Sequence, residues 1–391
     1  MSSPRKRGSL YLDNTEITPL AGMTQCWFCD LFVIMKKTPL HAMHIALSAK
    51  MGEFAGYDMP LYYNEGVLKE HEWVRAHAGI FDVSHMGQVV FHGNDTIRFL
   101  EAVTPSNFQT AKPFVSKYTV LTNELGGIVD DLIITKLSDQ NFFAVINAGC
   151  KEKDIAWFVR HLIGDVEIQY LDERALIAIQ GPEAEKALLE STGIDTSQLG
   201  YMRMMEADLE GTTVFLSRLG YTGEDGFEIS IPADKVESLW DRLLLHPSVK
   251  PVGLAARDSL RLEMGYCLYG HDITDKTTPL EADLAWVMGK DNSGFIGAEH
   301  VHAPKRKRVG FKLVDKGIAR EGAEIRTMRD EVIGTVTSGT FSPTLKQSIG
   351  QGYVPIEYAA EGTQVLVHVR GNNILAEIVK MPFVQPKVKK S

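Results

Sequence analysis

The chain has 391 residues, of which 44% are hydrophobic and 23% charged, a composition typical of soluble globular proteins with two or three domains. Its formal net charge of −9 argues against a nucleic-acid-binding surface, and we interpret two short basic runs, at 304–308 and 386–390, as a solvated linker and a loose terminus. No apolar segment reaches the ~18 residues that a membrane-spanning helix needs, so we expect neither nucleic acid nor membrane as a partner.

Residues 1–35 are predicted to be an N-terminal extension outside the main fold. Cys26 and Cys29 form a lone C-x-x-C, which we interpret as part of an apolar extension, because a zinc site needs a second pair. The low cysteine count fits a reducing compartment. The basic, Ser-rich start leaves a cleavable presequence open, but Asp13 and Glu16 fit a mitochondrial type poorly. A bacterial cytoplasm is therefore favoured, with the mitochondrial matrix as the location in a eukaryote.

The remaining elements predict an α+β chain. A helix is expected from about Val67 to His77, and strands and helices then alternate through residue 191. Two strands around a Gly-rich turn are expected over 212–232, followed by helices at 234–245 and 254–265. From about Lys307 onward, short strand patterns with frequent turns predict a separate β-barrel or sandwich, and the boundary is expected at 303–308.

Two adjacent carboxylates interrupt an apolar run in "GGIVDDLIITKL", residues 126–137. Burial of an unpaired carboxylate is costly. If the stretch is a strand, Asp130 and Asp131 face opposite sides of the sheet, so one is structural and the other faces a cleft. If it is a loop after Gly126-Gly127, backbone N–H groups cap both acids.

A second group of charged residues follows in "GYTGEDGFE", 220–228, and "GLAARDSLRLEMG", 253–265. Glu228 is expected on a strand with Phe227 and Ile229 facing the other way, so its carboxylate can accept a pair of N–H donors from a ligand. Arg257 is either an anchor for an anionic ligand or the partner of an acidic neighbour.

Several other chemistries are absent from the sequence. Neither a dinucleotide fingerprint nor a phosphate-binding loop is present, and "HEWVRAH" does not have the spacing of a zinc helix. Ser84 and His85 are adjacent and point apart on an extended chain, so they do not form a nucleophile–base pair. No metal is expected.

Several segments between about Thr38 and Phe383 carry a resemblance to a known family. In chain order they include "FDVSHMG", "TNELGGIVDDLI", "GYTGEDGFEIS", "GLAARDSLRLEMGYCLYGHDI" and "TVTSGTFSPTLK". They resemble the glycine cleavage system T-protein (aminomethyltransferase) family. The resemblance implies a three-domain, folate-binding cloverleaf with a C-terminal β-barrel domain. It divides the chain into a discontinuous first folate-binding domain (36–85 and 172–285), an α/β domain with the Asp pair (86–171) and the barrel (304–391).

The same resemblance implies the reaction and the site. Enzymes of this family transfer the methylene of the aminomethyl group on lipoylated H-protein to tetrahydrofolate and release ammonia and 5,10-methylenetetrahydrofolate. Asp131 matches the catalytic residue. The positions that match folate-binding residues are Glu228, Arg257, Tyr221, Asn147, Tyr118 and Met51. In the tail, "VQPKVKKS" matches no binding residue of the family, and Lys387 is the nearest electrostatic substitute.

Other functions on the same fold are a folate-dependent demethylase, the folate domain of a sarcosine-type dehydrogenase and a non-enzymatic folate-binding relative linked to iron–sulfur maintenance. The dehydrogenase needs a flavin domain, for which this chain has no fingerprint. The non-enzymatic relative needs a K-G-C-x-x-G-Q-E-like segment, whereas this chain has "GYCLYGHDI" around Cys267. The demethylase remains as the alternative.

Overall fold

The fold is described from a computed structural model that places residues 35–389. The predicted extension with Cys26 and Cys29 lies outside these residues. None of the helices between 35 and 389 is both long enough and apolar enough to cross a membrane. Seven α-helices are present in the described chain: α1 (His41–Ala46), α2 (Val67–Ala76), α3 (Thr96–Val103), α4 (Lys151–Arg160), α5 (Ala184–Thr192), α6 (Val236–Leu244) and α7 (Leu254–Glu263).

Nineteen strands accompany these helices in the described residues. They are β1 (Lys50–Phe54), β2 (Tyr57–Tyr62), β3 (Ala78–Asp82), β4 (Gly87–His92), β5 (Val115–Thr122), β6 (Ile128–Lys136), β7 (Asn141–Ile146), β8 (Glu167–Tyr170), β9 (Arg174–Gln180), β10 (Arg203–Leu209), β11 (Thr212–Arg218), β12 (Gly226–Pro232), β13 (Val249–Pro251), β14 (Arg306–Leu313), β15 (Glu324–Arg326), β16 (Val332–Ser342), β17 (Gln347–Pro355), β18 (Gln364–Val369) and β19 (Asn372–Val379).

Eleven strands form one sheet in the order β13-β3-β9-β12-β11-β10-β5-β6-β7-β4-β8. One end of this order holds all the strands between residues 87 and 170. The other end combines β3 with strands that follow residue 173, so the chain leaves this half of the sheet and returns to it. The two halves meet between β10 and β5, where Arg203 pairs with Val115 and the backbone N–H groups of Ser116 and Met204 donate to the carbonyls of Met202 and Phe114.

Each half of the sheet has its own hydrophobic core, because each is covered by amphipathic helices. In α6 the buried residues recur at helical spacing, and in α3 the spacing is the same. A further core lies under α2 and α7 and includes Phe81 of β3 and Leu260 of α7. Helix α7 therefore packs on β3 and β9.

The C-terminal strands close into a six-stranded barrel in the order β14-β17-β16-β15-β18-β19, which confirms the predicted α+β fold with a C-terminal barrel. Two residues of α7 attach to this barrel. Arg261 donates to Ser338 across 2.8 Å and to Asp272 across 2.7 Å. Glu263 accepts a 2.8 Å hydrogen bond from the hydroxyl of Thr344.

The interpretation of both basic runs is wrong. Arg308 is 5% exposed because it lies on β14, and it donates to Gln351 and to the Gly265 carbonyl. In the tail, Lys389 donates to Glu185 across 3.0 Å. Both runs therefore supply specific contacts, because their positive charges meet carbonyl and carboxylate oxygens of the folded chain.

Candidate active site

The Asp pair lies on a strand, as one of the two interpretations predicted, and the loop interpretation is wrong. Gly126 has a φ of +75° and completes the turn, so β6 begins at Ile128. Successive side chains of β6 then point to opposite faces. Asp130 is fully buried, whereas Asp131 retains 9% exposure and shares its face with Ile133 and Thr135, which line a cavity.

Two polar side chains hold Asp131. The β6–β7 register pairs Ile133 with Val145, and its continuation by two residues brings Asn147 opposite Asp131. The Nδ2 of Asn147 donates to Oδ1 of Asp131 across 2.9 Å, and the Tyr118 hydroxyl donates to Oδ2 across 2.9 Å. The structure thus brings together three of the residues that the sequence predicted for the site.

The ionisation of Asp131 is shifted toward neutrality. Burial raises the pKa of Asp131 to about 7, the nearby Asp130 adds to this rise, and the hydrogen bonds from Tyr118 and Asn147 oppose it. Burial likewise raises the pKa of Tyr118 well above its ordinary value, with a further contribution from Asp131, so Tyr118 remains a hydroxyl donor. Asp131 is a carboxyl group that can gain or lose a proton near neutral pH.

Glu228 lies on the cavity side of β12, in the other half of the sheet. Phe227 and Ile229 point into the core, as predicted. The cavity wall around Glu228 contains residues from both halves, namely Ile133, Thr135, Phe143, Val145, Leu176, Phe215, Ser217, Leu219 and Ser230. Burial raises the pKa of Glu228, and Arg257 opposes this rise. The carboxylate therefore faces a space that β6 and β12 share.

Arg257 of α7 faces the same region without pairing with an acidic neighbour. Its guanidinium carbon lies 4.9 Å from the centre of the Tyr221 ring, and its buried Nη1 has no hydrogen-bond partner. Burial lowers the pKa of Arg257, and Glu228 opposes this. Among the described residues, no oxygen of Glu228 comes within the 4.0 Å of an ion pair with Arg257. The two opposite charges therefore interact without a direct ion pair, and Arg257 keeps a guanidinium nitrogen free to donate to a ligand.

Two further aromatic residues belong to this region. Tyr221, a predicted site residue, donates its hydroxyl to the Cys267 carbonyl. Trp286 stacks on Tyr118 with ring centres 5.5 Å apart and is 67% exposed. Sequence reasoning did not single out Trp286, because nothing in the sequence spacing shows which ring it contacts.

Met51 and Lys387 are less closely tied to the site. Met51 is half-buried on the β1–β2 hairpin, and none of the polar contacts of the site reaches it. Lys387 is paired with Glu224, with its Nζ 3.4 Å from Oε1. The ammonium of Lys387 is thus bound to a carboxylate of the protein, which argues against the ligand contact considered from the sequence.

Two other groups of polar residues lie outside these contacts. Ser84 donates to the Leu176 carbonyl rather than to His85, as the sequence predicted. Asp130, Cys150 and Asp154 bring three polar atoms within 4.8 Å of one another, close enough to surround an ion or to share a proton. The expectation that the chain needs no metal stays a prediction.

Comparison with known proteins identifies the class. Residues 40–292 match the GCVT N-terminal domain family, and residues 306–385 match the glycine cleavage T-protein C-terminal barrel domain. The split sheet with its cavity and the C-terminal barrel thus define a GCVT-type enzyme. A crystal structure of glycine cleavage system aminomethyltransferase T from Bartonella henselae has a TM-score of 0.87 at 40% identity and covers 91% of this chain and 100% of that chain.

The chain is also similar to aminomethyltransferases from different lineages. The aminomethyltransferase of Bacteroides thetaiotaomicron is 43% identical over 360 residues, which is 89% of this chain and 99% of that protein. The mitochondrial aminomethyltransferase of Dictyostelium discoideum is 42% identical over 381 residues, 91% of this chain and 94% of that protein. The chain belongs to the glycine cleavage T-protein family and is an enzyme of the aminomethyltransferase type, which confirms the predicted family and enzyme class.

Proposed function

We propose that the protein transfers the methylene of the aminomethyl group on lipoylated H-protein to tetrahydrofolate. The products are ammonia, 5,10-methylenetetrahydrofolate and the dihydrolipoyl arm. In the balanced reaction, the carbon's bonds to sulfur and to the amino nitrogen break, and two bonds to folate nitrogens form. The two hydrogens from those folate nitrogens leave on ammonia and on the sulfur.

The observation that carries this proposal is the setting of Asp131. Its side chain lies on the same face of β6 as Ile133 and Thr135 of the cavity wall, and Tyr118 and Asn147 fix its two oxygens. Folate supplies the nucleophilic nitrogens when bound. Asp131 orients those N–H groups, holds negative charge beside the nitrogen that becomes positive as ammonia leaves, and can take up a proton because its pKa is raised.

We place the ring system of the folate at the opposite half of the sheet. We assign Glu228 to the adjacent ring N–H and amino group of the pterin, because its carboxylate offers two acceptor oxygens and has no hydrogen-bond donor in the described chain. Arg257 has an unpartnered, buried guanidinium nitrogen and suits an anionic part of the ligand. We place Tyr221 and Met51 as lining residues.

The domain division also belongs to this proposal. The strand order supports a first domain of residues 36–85 and 172–285, a second of 86–171 and a barrel of 304–391, since the strands of the second domain lie together at one end of the sheet. For the compartment, relatives of similar identity include bacterial and mitochondrial proteins. We retain the bacterial cytoplasm as the favoured location and the mitochondrial matrix for a eukaryotic source.

The function is tested by mixing the protein with aminomethyl-loaded H-protein and tetrahydrofolate. We expect ammonia and methylenetetrahydrofolate in equal amounts, with both absent when lipoate is omitted from the H-protein. A parallel reaction with an N-methylated amino acid and no H-protein tests the demethylase alternative. Product in that reaction alone would replace the proposal with the demethylase.

A further inference from the structure

A buried carboxyl group lies behind the catalytic Asp131 and has no assigned role. Asp154 of α4 is fully buried, and neither of its oxygens receives a hydrogen bond from an N–H group or a hydroxyl. Atoms of Asp154, Asp130 and Cys150 lie within 4.8 Å of one another. A buried carboxylate without donors is costly, so this group must be neutralised in some way.

The charged and titratable neighbours of Asp154 do not neutralise it. Asp130 and Asp131 on β6 are acidic, and Cys150 is a thiol whose pKa burial raises. Lys153 is the cation beside it in the chain, but its ammonium donates to the Val129 carbonyl and lies 3.9 Å from the centre of the Tyr269 ring. Two neighbouring buried carboxyl groups without a bound cation share a proton.

Hydrogen bonding decides which carboxyl group holds that proton. Asp130 accepts from Asn147 twice, from Nδ2 across 3.0 Å and from the backbone N–H across 3.4 Å, and such bonds favour a carboxylate. Asp154 accepts none and therefore keeps the proton. Independently, burial raises the pKa of Asp154 far above its ordinary value, and the adjacent Asp130 adds to this.

We propose that Asp154 is a positioning residue for the reaction: it remains a carboxylic acid and donates its O–H to Asp130. The Nδ2 of Asn147 shares its two N–H groups among three oxygens: Oδ1 of Asp130 at 3.0 Å, and the backbone oxygen and Oδ1 of Asp131, both at 2.9 Å. Asp154 never touches the substrates. It fixes the direction of Asp130, and through Asn147 it fixes the carboxylate that acts on folate.

The effect on turnover rests on the proposed function, whereas the protonation state does not. Asp154→Asn keeps the size of the side chain and an N–H donor for Asp130, while Asp154→Leu removes the donor. We expect Asp154→Leu to lower kcat about tenfold to a hundredfold with little change in the folate dissociation constant, because Glu228 and Arg257 lie in the other half. Asp154→Asn should keep most of the wild-type kcat, because its side-chain N–H can still donate to Asp130. The matched controls are Asp241→Asn and Asp241→Leu, at an exposed position of α6.

The protonation state is read by infrared difference spectroscopy at a pH of about 8, well above the ordinary aspartate pKa of about 4. We expect a carboxylic acid C=O band in the wild type that shifts in heavy water and is lost in Asp154→Asn. This measurement stands even if Asp154→Leu does not fold or the proposed reaction is not found. Absence of the band overturns the inference, as does a stoichiometric divalent metal in the purified protein whose removal changes the carboxylate bands of Asp130 and Asp154.

Discussion

The side-chain amide of Asn147 holds Asp131 at two points, since its Nδ2 lies 2.9 Å from both the backbone oxygen and Oδ1. The same nitrogen lies 3.0 Å from Oδ1 of Asp130. One amide group thus binds two neighbouring acids whose side chains leave the strand on opposite faces. The amide sets the direction of the acid that faces the cavity.

Asp131→Asn is expected to abolish most turnover, and Asp130→Asn to have a much smaller effect. Asn at 131 removes the negative charge that the proposed reaction needs, whereas Asn at 130 still offers an oxygen to the Asn147 amide. Steady-state rates of ammonia release, with circular dichroism to check folding, measure both. A large loss from Asp130→Asn alone in a folded protein would reverse the assignment.

Part of this site follows from the sequence. An apolar run of strand length predicts β6, and the period of two then separates Asp130 from Asp131 and Glu228 from Phe227 without any tertiary information. The assignment of Asp131 rather than Asp130 to the cavity required the family resemblance, because the alternation does not say which face is the core.

Other parts of the site depend on residues far apart in sequence. Asn147 reaches Asp131 only through the β6–β7 register, and Arg308 is buried only because β14 pairs with the rest of the barrel. The sequence also does not show that the chain returns to the first half of the sheet at β9, because the residue pattern of a strand does not depend on which neighbouring strand it pairs with. The pairing energy of such contacts is set by tertiary packing rather than by local preference.

The rate is expected to rise with pH as Asp131 loses its proton, with a midpoint near its pKa of about 7. In Asp130→Asn the midpoint should move to lower pH, because the neighbouring charge that helps to raise the pKa of Asp131 is gone. The measurement is kcat against pH for the two proteins, with the exposed Asp241→Asn as control. An unchanged midpoint in Asp130→Asn would contradict the coupling.

The raised pKa of Asp131 also makes the stability of the fold depend on pH. Folding raises the pKa of Asp131 from 3.8 to about 7, so the folded state holds this proton more tightly than the unfolded state. The free energy of unfolding therefore falls as pH rises from about 4 to about 7, by at most about 1.4 kcal/mol for each pH unit. Relative to the wild type, Asp131→Asn should gain stability across this window, as denaturant unfolding at several pH values can measure.

Glu263→Gln is expected to destabilise the protein by about 1.5–3 kcal/mol, the contribution of a hydrogen bond to a charged group, because Arg75 then keeps only Glu224 of its two buried carboxylate partners. The Glu263 carboxylate lies 2.7 Å from Nη2 of Arg75 and is fully buried. Burial opposes its ionisation, but interactions with His71, Arg75 and Ser342 lower the pKa of Glu263 to about 2. Urea unfolding, with Glu361→Gln on the exposed surface of the barrel as control, measures the difference. A loss below about 1 kcal/mol, the range of exposed ion pairs, would show that this pair does not attach α7 to α2.

Removal of residues 1–34 is expected to leave activity and melting temperature nearly unchanged. The sequence of this segment has no clear strand pattern or amphipathic helix, and the match to the GCVT N-terminal domain family begins at residue 40. The shortened and full-length proteins are compared by thermal unfolding and by ammonia release. A fall of many degrees would show that the fold needs the extension.

Glu228→Gln is expected to weaken folate binding far more than it weakens folding. Glutamine keeps the shape of the side chain but replaces one acceptor oxygen with an N–H donor, so one N–H of the pterin faces another donor. Hydrogen bonds to charged groups contribute about 1.5–3 kcal/mol each, and an unpaired buried donor adds its desolvation cost. The folate dissociation constant should therefore rise about tenfold to several hundredfold, since each ~1.4 kcal/mol is a factor of ten.

Calorimetric titration of folate separates this binding role from a structural one. The control is Glu206→Gln, a glutamate exposed on β10, which should bind folate as the wild type does. Under the proposed function Glu228 holds the pterin and not the lipoyl arm, so binding of H-protein should change little in either variant. The Glu228 carboxylate lies on the cavity face of β12 and has no donor of its own, so a folded Glu228→Gln variant should lose affinity without loss of its melting temperature. Equal folate affinities in wild type and Glu228→Gln would mean that the pterin is held elsewhere and that the charge of Glu228 serves only to balance Arg257.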